Sequence, residues 1–370
     1  MKKKLLILFL LFSCATQAQL IVNNTVRTPA QLVQDVLVGA GVTPFNIKFN
    51  RSLAAANAVR DQAAEFSTNF NPTNLGLDSG ILLTTGQATI ALGPNNTGSS
   101  SLATTTVTQG DVDLALLSGQ AINNVSIIEF DFVATGLVLN FDYVFASEEY
   151  PEWTASAFND TFGFFLSGMG LAGPYSGGAI NIALTPTTNT ASNVVSIGNV
   201  NNGVANAGPC RNCTYYVSNG TGTTPVANAS IQYDGFTRPL RATAPLVCGE
   251  TYHIKLAVAN AGPGNDNIFD SAVFIKNFRI QPLELLDNLG LNNNTGVCFG
   301  ETVTIYSGIT PSANILKWYK DGVLLPAETN PDLTVTQSGV YTLEEYTPSG
   351  CRLAVDDITI TYKPEIPSTP

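Results

Sequence analysis

Residues 126–150 read SIIEFDFVATGLVLNFDYVFASEEY, and the period of this stretch decides the fold. Two runs, SIIEFDFVA and LVLNFDYVFAS, are dense in β-branched and aromatic side chains, the pattern of strands rather than helices. The first is apolar on both faces, as is TFGFFLSG further on, which predicts central strands covered on both sides. Outward from these, ILLTTG, INIAL, VVSIGNV, TYYVSN, IQYDGF, TYHIKLAVAN and SAVFIKNFRI repeat the texture between Gly, Pro, Asn and Asp turns. No helix-length amphipathic segment separates consecutive runs, which argues against βαβ units. The expected protein is all-β, its main domain a large β-sandwich of jelly-roll or lectin-like type.

Short helices are expected only near the start. TPAQLVQDVLVGAG has Thr28 as N-cap, Pro29 in the first turn, Leu32, Val33, Val36 and Leu37 at helical spacing, and Gly39 as a stop. Alanine-rich Ser52–Phe66 is expected to be a second helix, packed on a sheet edge. Before these, MKKKLLILFLLFSCATQAQ has a basic start, an apolar run and a small-residue cleavage site at Thr16-Gln17-Ala18, so residues 1–18 read as a signal peptide. Acylation of Cys14 in LFSC is the competing reading. The apolar run falls short of the roughly 20 residues that span a bilayer.

The chain is acidic and sparsely charged: 12% of its residues are charged and its net charge is −11. Three of the 17 basic residues lie in the leader, leaving 14 against 28 acidic ones. Such a balance argues against nucleic acid or an anionic membrane as partner and is compatible with cations and neutral glycans. The length implies two domains. The expected bounds are 19–282 for the large sandwich, 283–363 for an Ig-like sandwich and 364–370 for a tail. In the second domain Cys298, Trp318, Tyr341 and Cys351 stand in immunoglobulin order, so a Cys298–Cys351 bridge beside Trp318 is expected. Cys210, Cys213 and Cys248 remain, with one of the CxxC pair expected to bridge Cys248 and a local Cys210–Cys213 bridge as the rival.

The acids of SEEYPEWTASAFNDTFGFFLSG gather beside aromatic residues. A hard cation takes six to eight oxygen ligands, and Glu148, Glu149, Asn159, Asp160, Asp266 and Asp270 are the candidates for calcium; Asp111 and Asp113 would share a face if extended. The same residues also serve as turn formers that accept backbone hydrogen bonds. A glycosidase pair would need carboxylates about 5–9 Å apart, whereas adjacent strand residues such as Glu148 and Glu149 point to opposite faces unless Pro151 turns the backbone. His253 is the only histidine, which removes histidine-based triads and multi-histidine zinc sites from one chain; it reads as structural.

Taken in order, GDVDLALLSG, IIEFDFVATGLVLNFDYVFASEEYPEW, FNDTFGFFLSG, IQYDGFTRPLRA, CGETYHIKLAVANAG and IFDSAVFI resemble the choice-of-anchor L domain family, over roughly Val26 to Ile280. The tail resembles the Ig-like modules of Bacteroidetes-type surface proteins, with CxG, WY and SGxYT before a closing Cys. NDTFGFFLSG is similar to a strand of legume-type lectins that follows an acidic loop. The resemblance implies an exported protein; no sorting domain is expected after Pro370, which leaves the anchor open. The expected function is non-catalytic adhesion or binding, to a glycan or a surface protein, with calcium as a possible ion. A carbohydrate-active hydrolase using Glu148 or Glu149 with Asp160, and a passive spacer, are the alternatives.

Overall fold

The computed structural model describes residues 20–363 apart from 40–41, 59–60, 69–72, 103–109, 187–192, 223, 225, 227–228, 265–267, 282–294, 299, 310–312 and 349. The expected leader, the tail from 364 and Asp266 lie outside the described residues. The chain is mostly β with two short α-helices. Its N-terminal region runs β1 (Ile21–Asn23), β2 (Pro44–Phe49), β3 (Ala63–Ser67), β4 (Ser79–Thr84), β5 (Ile122–Val133), β6 (Val138–Ser147), β7 (Thr161–Gly168), β8 (Ile180–Asn181), β9 (Tyr216–Ser218), β10 (Gly235–Thr237), β11 (Leu240–Pro245), β12 (Thr251–Ala261) and β13 (Ser271–Gln281). One sheet has the order β1-β3-β4-β13-β6-β10-β9, with β11 also on β6; a second has the order β2-β5-β12-β7-β8. All pairs in both sheets are antiparallel.

Period-two alternation sorts the side chains into cores. On β6, Phe141, Tyr143 and Phe145 enter the central core while Val144 and Ala146 enter another on the opposite face. On β5, Phe130 and Phe132 join the central core, and Val125 and Ile127 join a third cluster under Leu114. The central core draws on both sheets, and rings meet across it: Phe141 and Phe164 lie 5.0 Å apart and Phe145 and Phe162 4.8 Å. Such contacts contribute about 0.5–1.5 kcal/mol each beyond the area they bury. The expected double coverage of the central strands follows from this sorting.

Thr28 caps α1 (Pro29–Gln31) in a capping box with Gln31, and the helix widens into a π-helical turn over Leu32–Leu37. Among the described residues the second expected helix does not form. Within Ser52–Phe66 only Ala55–Asn57 forms a 3-10 turn, and Ala63–Ser67 is β3, paired between β1 and β4. Ala63 and Phe66 are buried in different cores, so sheet burial overrides alanine's helix propensity. Conversely, GDVDL is not extended: Asp111 caps α2 (Val112–Ser118) by accepting from the backbone N–H of Asp113 and Leu114.

A separate C-terminal sheet region comprises β14 (Thr295–Val297), β15 (Val303–Ile305), β16 (Ile315–Lys320), β17 (Val323–Leu325), β18 (Leu333–Val335), β19 (Gly339–Tyr346) and β20 (Arg352–Tyr362). Buried Trp318 centres its core and donates its indole N–H to the carbonyl of Asn330 at 2.9 Å. The cysteine pairing differs from expectation. Cys248 bridges Cys351, Cys210 bridges Cys213, and Cys298 is free and exposed. Val297 lies opposite Tyr362 at the far end of β20, whereas Cys351 precedes its first residue. At about 3.3 Å per residue the two thiols are some 35–40 Å apart, which rules out the immunoglobulin-type bridge.

Candidate functional site

β6 ends at Ser147, which pairs with Gly235 of β10 on one side and Ser271 of β13 on the other. One residue beyond this row stand Glu148, Asp234 and Asp270, all buried. The three acids thus sit at the ends of three adjacent strands, and Glu148 feels the charges of both Asp234 and Asp270. They lie on the face of Ala146, Phe236 and Ala272, which the segment 86–102 covers. That segment holds them: Ser100 N–H donates to Glu148 Oε2 at 3.2 Å, Leu102 N–H to Asp270 Oδ2 at 2.8 Å, and Asn95 Nδ2 to Asp234 Oδ1 at 2.7 Å. Thr85 Oγ1 donates to Asp270 Oδ1 at 3.2 Å.

The backbone turns from Glu148 onward, and the two adjacent glutamates serve different partners. Glu149 Oε2 accepts from the N–H of Asp160 at 3.1 Å. Asp160 in turn accepts from Ala261 N–H at 3.0 Å and from the Ser271 hydroxyl at 2.6 Å, tying β12 to β13. Asn159 Oδ1 accepts from Gly198 N–H at 2.8 Å. Tyr150 is buried, donates its hydroxyl to the Val200 carbonyl at 2.7 Å and packs at a tilt against Tyr216, ring centroids 4.9 Å apart. A Cβ on Gly235 would stand 2.6 Å from Tyr150, so only glycine fits there. Of the calcium candidates, the structure thus brings Glu148, Glu149, Asp160 and Asp270 to one corner, where they accept hydrogen bonds, and leaves Asn159 on a neighbouring loop contact.

Electrostatics separates the acids. Burial, reinforced by the charge of Asp234, pushes the Glu148 carboxyl up to about 9. Burial also pushes Asp234 up to about 7, against the hydrogen bond from Asn95 and with the charge of Glu152 adding to it. Glu148 Oε1 and Asp234 Oδ2 have no hydrogen-bond partner.

Outside this buried row lies an apolar cleft of about 120 Å³, lined by Glu149, Trp153, Phe158, Ile268 and Phe269. The ring of Trp153 stands 5.1 Å from Phe158 and 5.7 Å from Phe269, and Ile268 is 55% exposed at the rim. Phe269 adopts φ of +64°, a conformation that bulky residues rarely take and that clusters at binding sites. Aromatic faces beside a carboxylate can stack on a sugar ring or an apolar side chain while the acid orients hydroxyl or amide groups. Neither these aromatics nor Asp234 stands out by residue pattern; the local signals are Trp153 next to Glu152 and the Asp-Gly of IQYDGF.

His253 sits elsewhere, on β12, between Asp131 at 2.7 Å and Glu129 at 3.3 Å across the strand pair, and their carboxylates, Glu129 first, raise its pKa. Asp111 and Asp113 both contact the Lys255 ammonium group.

The family described as choice-of-anchor L domain matches residues 21–279. No curated protein matches the chain. Among solved structures, the adhesin domain of Epf from Streptococcus pyogenes is similar over 66% of this chain and 74% of that chain, at 8% identity and a TM-score of 0.21, too slight a likeness to carry an argument.

Proposed function

The chain belongs to the choice-of-anchor L domain family, and on that premise we propose that it is a non-catalytic binding protein of the cell exterior that captures a glycan at the cleft of Trp153, Phe158, Ile268 and Phe269. The observation that carries this reading is the cleft itself: aromatic faces and an exposed isoleucine held open at a loop cluster, with Glu149 at its wall. A rigid corner beneath keeps it preformed, because Asp160, Ser271 and Ala261 stitch together the strand ends that carry the loops. Preformed sites avoid the ordering cost of binding.

The non-catalytic reading is supported by the state of the acids. Glu148 is fully buried, and the oxygens of Asp160 hold a backbone N–H and a hydroxyl inside the fold. The two facing sheets read as a lectin-like sandwich. The C-terminal region reads as Ig-like, supported by buried Trp318 and by Tyr341, whose hydroxyl donates to the Gln337 carbonyl at 2.8 Å as in a tyrosine corner. The signal-like leader and the two disulfides support export.

A glycan array probed with the full chain and with Trp153→Ala tests the reading. Binding to one glycan class that falls at least tenfold in Trp153→Ala is expected. Glycan binding that ignores the substitution would move the site elsewhere, and an array without binding, alongside capture of a protein ligand, would make the cleft a protein-docking site.

A further inference from the structure

The row of acids beneath the cleft is chemically unfinished. Glu148 follows Ser147 and Asp234 precedes Gly235, the pair that closes the β6–β10 ladder, and the two acids are near enough for Glu148 to feel the charge of Asp234. Both are 0% exposed, and neither makes an ion pair among the described residues. Each has one oxygen held by the covering segment, Glu148 Oε2 by Ser100 and Asp234 Oδ1 by Asn95. The other oxygen of each, Glu148 Oε1 and Asp234 Oδ2, is buried without a partner. Like charges held close in a buried site repel, and a buried carboxylate oxygen without a donor is costly. The sheet and the segment 86–102 nevertheless hold both in place.

The surroundings are rich in oxygen. Asn95 links Asp234 to Gln232, whose amide also donates to the Thr97 carbonyl at 2.9 Å. A Cβ on Gly98 would stand 2.7 Å from the Thr221 carbonyl and 3.4 Å from Asp234 Oδ2, so the covering segment packs close against both oxygens. Asp270 adds a third carboxylate on the far side of Glu148, its oxygens already hydrogen bonded to Leu102 and Thr85.

We propose that Glu148 and Asp234 hold a calcium-type divalent cation between the end of β6 and the segment 86–102. Among the described residues no three His, Cys, Asp or Glu side chains converge as a metal site, so the ion's other ligands are amide and carbonyl oxygens and water, as a hard cation accepts. Asp160, Glu149 and Asn159 fall outside this ligand set, because their oxygens accept backbone N–H and hydroxyl hydrogen bonds that tie loops and strand ends together. The cation locks the segment 86–102 onto the strand ends that carry the cleft, and it does so whatever the cleft binds.

The test is calorimetric titration of the metal-stripped full chain with calcium chloride, in wild type, Glu148→Gln, Asp234→Asn and Asp160→Asn. One saturable ion per chain is expected, weakened at least tenfold in the first two variants and retained in Asp160→Asn. Terbium provides a second readout, since buried Tyr233 lies close enough to Glu148 and Asp270 to sense their charges and should sensitise its emission. Absence of saturable binding in wild type would overturn the proposal and leave a proton shared between the two acids. Unchanged binding in both Glu148→Gln and Asp234→Asn would overturn it as well. Should Glu148→Gln fail to fold, the wild-type stoichiometry and Asp234→Asn still decide.

Discussion

Asp160→Ala offers a severe test of the corner, because it strands at least two buried donors. Its two oxygens accept from Ala261 N–H at 3.0 Å and the Ser271 hydroxyl at 2.6 Å, and Ala261, Ser271 and Asp160 are all 0% exposed. An unsatisfied buried donor costs about 1–3 kcal/mol, and two of them give about 2–6 kcal/mol. For a protein whose net stability is on the order of 5–15 kcal/mol, that is a large share. Asp160→Asn should cost clearly less: its amide oxygen still accepts from Ala261, and the Ser271 hydroxyl can rotate to accept from the new NH2 group. Urea unfolding followed by fluorescence measures both. The chain has two tryptophans, and a Trp318→Phe background leaves Trp153 as reporter of the corner. A loss below about 1 kcal/mol in Asp160→Ala, or equal losses in the two variants, would mean that these hydrogen bonds do not hold the corner.

The metal-free chain should lose stability as pH rises. Glu148 and Asp234 titrate higher folded than unfolded, so between roughly pH 4 and 9 the folded chain retains protons that the unfolded chain has released. With Glu148 at about 9 against 4.5, the loss from this group by pH 7 is about 3 kcal/mol, and Glu148→Gln should flatten melting curves measured in chelator across that range; an unchanged slope would count against it. His253 should titrate above 6.5, because Glu129 and Asp131 favour its charged form. Its stabilisation is full below the unfolded value and is lost as pH rises through the folded one. As the only histidine it gives a single imidazole signal by NMR, and a midpoint at or below 6.5 would contradict the ion pairs. Non-reducing peptide mapping should join Cys248 to Cys351 and Cys210 to Cys213 and leave Cys298 open to alkylation, whereas a Cys298–Cys351 peptide would contradict the register of β14 on β20. Closing a span of 103 residues, the Cys248–Cys351 bridge should contribute about 4–5 kcal/mol in the chain-entropy model.

Strand identity was legible because alternation is local. The doubly apolar pattern of SIIEFDFVA could be read directly as coverage on both faces, and Phe130 and Ile127 do enter different cores. Partnership was not legible. β5 and β6 are joined by only four residues, yet they belong to different sheets, and no local signal separates such a crossover from a hairpin. The same limit applies to Ala63–Ser67, whose alanines favour a helix until two neighbouring strands claim them. Cysteine order matched an immunoglobulin pattern, but bridging depends on where strand ends fall in space, and β14 joins the wrong end of β20. At the corner, clustering of Glu148, Glu149, Asp160 and Asp270 followed from their place beside strand ends. Asp234 escaped notice because its nearness to Glu148 arises from pairing across 86 positions of chain.

The most direct test of the binding account uses the two tryptophan indole N–H signals in a full chain labelled with nitrogen-15. The leading glycan from the array is titrated in while both resonances are followed. The Trp153 signal should shift saturably, while the signal of Trp318, buried in the C-terminal sheet region, stays in place. A still Trp153 signal under saturating glycan, or a shift confined to Trp318, would contradict it.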